Sequence, residues 1–237
     1  MLKDQKVVII GGSSGLGLAV GQAVSEAGAQ VVLVGRHRDK LEEAVGRVAR
    51  DAETRVGDIT EEGSLKDLFN DVGPFDHLVT TAANLTYAPL GEFSAKDALE
   101  VVNSKLLGPF YAAKQALPYL SKKGSITFFG GVAATKPGAG QSLVAAVNGG
   151  LEALARALAV ELAPIRVNTI SPGAVETPSW AMMSRDERKD FFASLQETLP
   201  VRRNGTPEDV AQGTLFLMTN RFTTGTTLHV DGGTPLT

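Results

Sequence analysis

Residues 6–10, Lys6-Val7-Val8-Ile9-Ile10, run directly into Gly11-Gly12-Ser13-Ser14-Gly15-Leu16-Gly17. An apolar, β-branched run that meets glycines at once, and then a helical pattern, leaves a chain few folds to choose from. The run reads as a buried strand. Beyond the glycines, Leu18, Val20, Ala23, Val24 and Ala27 are apolar on a helical spacing, and Gly28 stops the helix. Such a junction needs glycine because the turn is tight, the backbone must approach a bound group closely, and the helix must start against the strand. The helix then offers unpaired N–H groups and partial positive charge to the loop. Gly11, Ser13, Ser14, Gly15, Leu16 and Gly17 are therefore expected to hold a pyrophosphate.

The alternation continues. Gln30 to Val34, Asp76 to Val79, Ser125 to Phe129, Arg166 to Ile170 and Thr226 to Val230 read as strands, the last closed by Gly232-Gly233. Asp39 to Arg50 reads as an amphipathic helix with Leu41, Ala44, Val45 and Val48 on one face. Lys96 to Leu120 and Ser142 to Ala163 are mainly helical. Pro207, placed behind Thr206 as an N1 proline behind its cap, opens Glu208 to Met218. This order predicts an α/β fold with a parallel sheet covered on both faces. No linker, repeat or low-complexity tract divides the 237 residues, so 1–237 is expected to form one domain. Residues 178–200 break the pattern, with Trp180, Met182, Met183, Phe191 and Phe192 set among charges. This stretch is expected to be a lid over a site, or else a helical excursion packed on the domain.

Composition removes several functions. At 43% hydrophobic residues the chain can bury a full core. A net charge of −3 argues against a nucleic-acid binder that works through phosphate contacts. With no cysteine there is no disulfide framework, thiolate metal site or thiol nucleophile. His37, His77 and His229 lie too far apart in sequence to suggest a metal site. The first twelve residues meet glycine too early to read as a signal peptide, and no window approaches about 18 apolar residues without a charge. The expectation is a cytoplasmic protein with no metal, nucleic-acid or membrane partner.

The end of the second strand points to the cofactor. An NAD site places a carboxylate there to accept the ribose hydroxyls. Here Val34 is followed by Gly35-Arg36-His37-Arg38, and the first acid is Asp39, already in the helix. Arg36 and Arg38 can neutralise a 2′-phosphate, and Gly35 leaves room for it. NADP(H) is expected over NAD(H).

Together these residues resemble the short-chain dehydrogenase/reductase superfamily. The resemblance is carried by the GGSSGLG loop, Asp58, Asn103, Ser171-Pro172-Gly173 with Thr177, and Asp231-Gly232-Gly233. The stretch LEALARALAVELAPIRVN and the run Gly205-Thr206-Pro207-Glu208-Asp209-Val210-Ala211 add to it. It implies one Rossmann-type, doubly wound sheet of about seven parallel strands, a nicotinamide cofactor, and a homodimer or homotetramer. By the same resemblance Asp58, with Ile59 beside it, meets the adenine, and Ala82 lies by the cofactor ribose. Pro172, Gly173 and Val175 line the nicotinamide, and Thr177 holds its carboxamide. In an assembly the two long helices pair, where Tyr111, Ala112, Leu154 and Leu158 could pack, although burial within one subunit explains them equally.

The chain also departs from the family. The family's Asn-Asn-Ala-Gly stretch reads Thr80-Thr81-Ala82-Ala83. Of the family's Asn, Ser, Tyr and Lys active-site residues, Asn103 is matched to the first, while Gly131, Val144 and Asn148 stand for the other three. Neither Gly131 nor Val144 has an exchangeable side-chain proton, and Asn148 can bond a ribose hydroxyl but carries no charge. A positioned general acid is worth roughly 10²–10⁴ in rate, so ordinary carbonyl reduction is expected to be slow without a substitute. No tyrosine follows Tyr119. Candidate substitutes are Lys136, Gln141, Ser142, Tyr87 and Lys105, the last expected to face away from Asn103; each reads more simply as a solvated surface or loop residue. Three functions stay open. They are an NADP(H)-dependent oxidoreductase of a small, partly apolar substrate, a redox-silent nucleotide sensor or oligomer subunit, and a non-redox isomerase or dehydratase.

Overall fold

The structure is a computed structural model that describes residues 1–48 and 52–237. The strands are β1 (Lys6–Ile10), β2 (Gln30–Gly35), β3 (Glu53–Val56), β4 (Phe75–Thr80), β5 (Leu120–Phe129), β6 (Arg166–Pro172) and β7 (Thr227–Val230). All run parallel in one seven-stranded sheet of order β3-β2-β1-β4-β5-β6-β7. The helices are α1 (Gly15–Glu26), α2 (Arg38–Val45), α3 (Glu62–Val72), α4 (Ala95–Val102), α5 (Gly108–Ala116), α6 (Ser142–Glu161), α7 (Arg185–Thr198) and α8 (Pro207–Thr219).

Strict alternation of buried side chains makes this a doubly wound sheet. In β1, Val8 and Ile10 pack with Leu65 and Phe69 of α3, Ala112 and Ala116 of α5 and Leu151 of α6. Val7 and Ile9 face the other way, toward Leu18 and Val24 of α1, Leu41 of α2 and Val210 and Leu217 of α8. β1 and β2 are buried on both faces, which is why they read in sequence as continuous apolar runs. α6 is the described helix whose length and apolar content would let it cross a membrane. It packs here on the sheet through Val147, Leu151, Ala155 and Leu158. Ala112 and Leu158, expected as possible subunit contacts, are buried within this chain.

Three expectations are corrected. α2 ends at Val45 with Gly46 as its cap, and the expected end at Arg50 lies outside the described residues. β5 starts at Leu120 rather than Ser125. Leu120 pairs with Phe75 and Ser125 with His77, so the strand is irregular between them, and exposed Lys122 and Lys123 mask it in sequence. The helix expected over Lys96 to Leu120 is interrupted by a π-helical turn, Asn103–Leu107, in which Gly108 N–H bonds Asn103 O. Pro109, next in line, has no N–H to donate to Lys105, so the regular ladder cannot continue through this point.

Below the sheet, His77 lies between Ser125 Oγ at 2.8 Å and Gln5 Oε1 at 2.9 Å. Burial pushes its pKa down to about 4, so the folded protein holds a neutral imidazole while the unfolded chain takes up a proton near the ordinary value. The unfolded state therefore binds more protons between about pH 4 and about pH 6.5. Stability on the order of 3 kcal/mol, present above that window, is expected to be lost as the pH falls through it. Urea denaturation across this range should show that slope in the native chain and a flattened one in His77→Gln.

Candidate functional site

The strand order reverses at β1, whose neighbours are β2 and β4. The loops beyond the carboxyl ends of β1 and β4 leave in opposite directions, which opens a crevice. A cavity of about 830 Å³ fills it and extends across the ends of β5 and β6. Gly11, Ser13, Ser14, Gly15, Leu16, Gly17, Arg36, Asp58, Ile59, Ala82, Gly131, Val144, Asn148, Pro172, Gly173, Val175 and Thr177 all line it.

The loop is fixed by backbone approach. Gly11 has φ +95°, and a Cβ there would stand 2.4 Å from Thr81 Oγ1. A Cβ on Gly17 would stand 2.2 Å from Gly11 O and 2.6 Å from Thr81 Oγ1. Thr81 closes the knot, its hydroxyl donating to Ile10 O or Gly11 O at 3.2 and 3.1 Å and its N–H to Ile10 O at 2.8 Å. Thr81 thus secures the backbone path that the altered Thr80-Thr81-Ala82-Ala83 stretch had left open. Ser14 caps α1 in extended conformation without using its side chain, so the first N–H groups of the helix, at Gly15, Leu16 and Gly17 on the cavity wall, have no side-chain cap.

Charge around the cavity is one-sided. Arg36, Lys40, Lys105 and Lys136 line it, and Asp58 is the only carboxylate among the described residues that does. Asp58 Oδ1 accepts from Thr60 N at 2.9 Å and Thr60 Oγ1 at 2.7 Å, and Ser64 Oγ accepts from Asp58 N. Arg36 is exposed and donates to Asn84 Oδ1 at 3.4 Å across the crevice. Arg38 is not on the wall, because α2 begins there and the side chain turns to solvent.

At the other end, Asn148 Nδ2 donates to Gly131 O at 3.3 Å, and its buried Oδ1 has no donor. Lys105, 7% exposed, donates to Gly130 O at 3.2 Å. Burial pushes its ammonium down to about 8. The expected Asn103 is exposed and lies off the cleft. The buried stripe here is Val101, Lys105, Gly108, Ala112 and Ala116, spaced by four and three. That spacing, readable in the sequence, puts Lys105 inward and Asn103 outward.

The remaining candidates are tied up or peripheral. Lys136 Nζ bonds Thr234 O at 3.1 Å and Thr237 Oγ1 at 2.8 Å, and contacts Thr237 O. Gln141 Oε1 accepts from Gly138 N. Ser142 does not line the cavity, and Tyr87 is 44% exposed at its edge with a phenol pushed up by burial. Over 178–200, Trp180, Phe191 and Leu195 line the cavity. Trp180 packs against Phe191 with the rings tilted by 36° and their centres 5.0 Å apart, and donates from Nε1 to Val175 O at 2.8 Å.

The glycine cradle, the positive wall and the unpaired Asn148 Oδ1 fit a dinucleotide with a ribose hydroxyl beside α6. A family model described as Enoyl-(Acyl carrier protein) reductase matches residues 11–235. The chain is 34% identical to the Short-chain dehydrogenase/reductase ATR9 of Stachybotrys chlorohalonatus, over 98% of this chain and 97% of that one. It belongs to the short-chain dehydrogenase/reductase family. It is also 32% identical to the 3-oxoacyl-[acyl-carrier-protein] reductase of Bos taurus, over 99% of each chain. A solved small-chain dehydrogenase in complex with NADPH superposes with a TM-score of 0.86 at 32% identity, covering 98% of this chain and 99% of that one.

For a chain of this family the loop geometry makes a direct prediction. Gly17→Ala is expected to cost about 1–3 kcal/mol by overpacking, because the new Cβ meets backbone. Gly63→Ala in α3, where a Cβ meets nothing within 4 Å, is expected to be neutral or slightly stabilising. Urea denaturation of the two variants checks the contrast.

Proposed function

We propose that the chain is an NADP(H)-dependent reductase that works without the family's serine, tyrosine and lysine. Gly131, Val144 and Asn148 stand at those positions. The observation that carries the cofactor choice is the wall beside β2, where Arg36 and Lys40 line the cavity and no carboxylate does. An acid there would repel a 2′-phosphate, whereas Arg36 offers it a charge-assisted hydrogen bond.

The residues divide the dinucleotide between them. The Gly11–Gly17 loop and the first N–H groups of α1 take the pyrophosphate. Arg36 takes the 2′-phosphate, Asp58 and Ile59 the adenine, Asn148 a ribose hydroxyl and Thr177 the carboxamide. When bound, the reduced cofactor supplies hydride at the end of the cleft lined by Gly131, Val144 and Lys105. Trp180, Phe191 and Leu195 cover that end and hold water away from a small, partly apolar substrate. The NADPH complex of the small-chain dehydrogenase supports this reading.

A second reading, a redox-silent nucleotide-binding protein or a non-redox isomerase or dehydratase, is favoured by the lack of any exchangeable proton on Gly131 and Val144. Both readings keep the dinucleotide, so binding is measured first. Energy transfer from Trp180, the only tryptophan, should report NADPH at lower concentration than NADH. Arg36→Ala is expected to weaken NADPH by roughly 10–100-fold, the worth of one charged hydrogen bond, and to leave NADH nearly unchanged. NADH binding as tight as NADPH in the native chain removes the cofactor assignment.

Turnover on a panel of ketones and enones then separates the readings. Gly131→Ser, Val144→Tyr and Asn148→Lys are introduced together, because a Cβ on Gly131 alone stands 3.0 Å from Asn148 Nδ2. A native chain that already turns over, with no large gain from the triple variant, marks a reductase with another proton source. A native chain that binds NADPH without turning over marks the second reading.

A further inference from the structure

We propose that Lys105 is the acid of this cleft, its ammonium holding and then protonating the oxygen that becomes negative when the substrate is reduced. The proposal rests on the reductase reading and names the group that the reading leaves missing. Three observations carry it. Lys105 is buried yet lines the cavity, at the end where Gly131, Val144 and Asn148 meet. Its ammonium has three N–H donors and, among the described residues, one hydrogen-bond partner, Gly130 O at 3.2 Å. Lys105 and Asn148 bond neighbouring carbonyls, those of Gly130 and Gly131, so they flank one dipeptide that has no side chains. Gly130, Gly131 and Lys105 all line the cavity, so a substrate oxygen bound at that end has unspent ammonium donors beside it.

The step balances without a further reagent. The substrate carbon, carbonyl or β-position of an enone, accepts a hydride from a reduced nicotinamide, and the nicotinamide loses two electrons. The π pair moves to the substrate oxygen, which becomes an alkoxide or enolate. The Nζ–H bond of Lys105 breaks as the new O–H bond forms, leaving a neutral amine that regains a proton from water at the cleft mouth. A ketone and an enone both gather charge on oxygen, so one cation serves either substrate.

Among the described residues no carboxylate hydrogen-bonds the ammonium. Of the elements packed against its turn, α4 carries Lys96, Asp97 and Glu100, α5 Tyr111 and Lys114, and α6 Glu152, Arg156 and Glu161. Arg36, His37, Lys40, Asp58, Tyr87 and Lys136 share its cavity. None of the described carboxylates forms an ion pair with it, and burial is the one cause of its lowered pKa. An acid poised near working pH is the efficient kind.

The test uses the full chain, Lys105→Met, Lys105→Gln and p-nitrophenol, whose ionised form absorbs visible light and mimics the charged oxygen. In the native chain, with NADP⁺ present, bound p-nitrophenol is expected to ionise at least about one pH unit lower than in Lys105→Met. Carbon-13 NMR of labelled lysine should show one resonance, absent from both variants, titrating near 8. Both variants should match or exceed the native thermal midpoint, because they remove a buried charge, and should bind NADPH with unchanged affinity. Where a ketone or enone of the panel is reduced, the native rate should fall as pH rises through about 8, and Lys105→Met should lose roughly 10²–10⁴ in rate. Equal p-nitrophenol midpoints, no spectral change in the native chain, or a Lys105 resonance titrating with the surface lysines would each overturn the proposal. So would variants that lose stability and NADPH affinity together, the mark of a structural lysine. Failure of NADPH to bind the native chain overturns the reductase reading instead, and the p-nitrophenol midpoints still decide Lys105.

Discussion

The contact between the glycine loop and Thr81 is the constraint from which the cleft follows. β1 and β4 lie side by side, yet the chain must leave them in opposite directions. Thr81 solves this by bonding back to the end of β1 while Gly11 and Gly17 give it room. With that knot tied, α1 can start directly against β1 with its first N–H groups, at Gly15, Leu16 and Gly17, on the cavity wall. Every other wall of the cavity is hung from the carboxyl ends of strands whose register this junction shares. A two-faced parallel sheet has little freedom to adjust, because each of its central strands is packed on both sides.

That same packing explains what could be read beforehand. β1 and β2 are buried on both faces and appear as apolar runs, whereas β6 is buried although it carries Arg166, Asn168, Thr169 and Ser171, and α8 announces itself through Pro207 behind Thr206, which forms a capping box with Asp209. β3, an edge strand of Glu53-Thr54-Arg55-Val56, has no apolar run to find. In α3, Leu65, Leu68, Phe69 and Val72 keep a three-and-four spacing, but its N-cap, Glu61, gives no side-chain signal, and no helix was expected there. The cofactor loop was legible because glycine there is a steric demand. Lys105 is among the candidate substitutes that the sequence offers; what the family pattern hid is that Lys105, and not Asn103, faces inward. The stripe from Val101 to Ala116 already placed the lysine inside.

Whole-chain charge was a poor guide to the site. The net value of −3 is an average over a surface that is mostly remote from the cleft. Among the described residues, the cavity wall sets Arg36, Lys40, Lys105 and Lys136 against a single carboxylate, Asp58. Field lines from such a wall are concentrated by the low-dielectric protein around it, which draws a polyanion in. An acidic protein can in this way be built to bind phosphates, and the exclusion of nucleic acids from overall charge speaks only to extended surfaces.

His77 and Lys105 show two ways of burying a base. His77 gives up its proton and finds a partner for each ring nitrogen, so its burial is complete and quiet. Lys105 is as deeply buried but sits at about 8, so at neutral pH it keeps its charge with one hydrogen bond to hold it. Its depressed pKa means that the folded chain carries the proton less willingly than the unfolded chain does. The resulting destabilisation, on the order of 3 kcal/mol, is present at neutral pH and relieved only as the pH climbs through the window between about 8 and the ordinary lysine value. A methionine would fill the same space without that cost. Strain of this kind persists where the surrounding structure over-determines it, and here the π-helical turn, Pro109 and the packed stripe of α5 fix the lysine in place. Under the role proposed for Lys105, that lost stability is the cost of holding an under-bonded cation at the end of the cleft lined by Gly131, Val144 and Asn148.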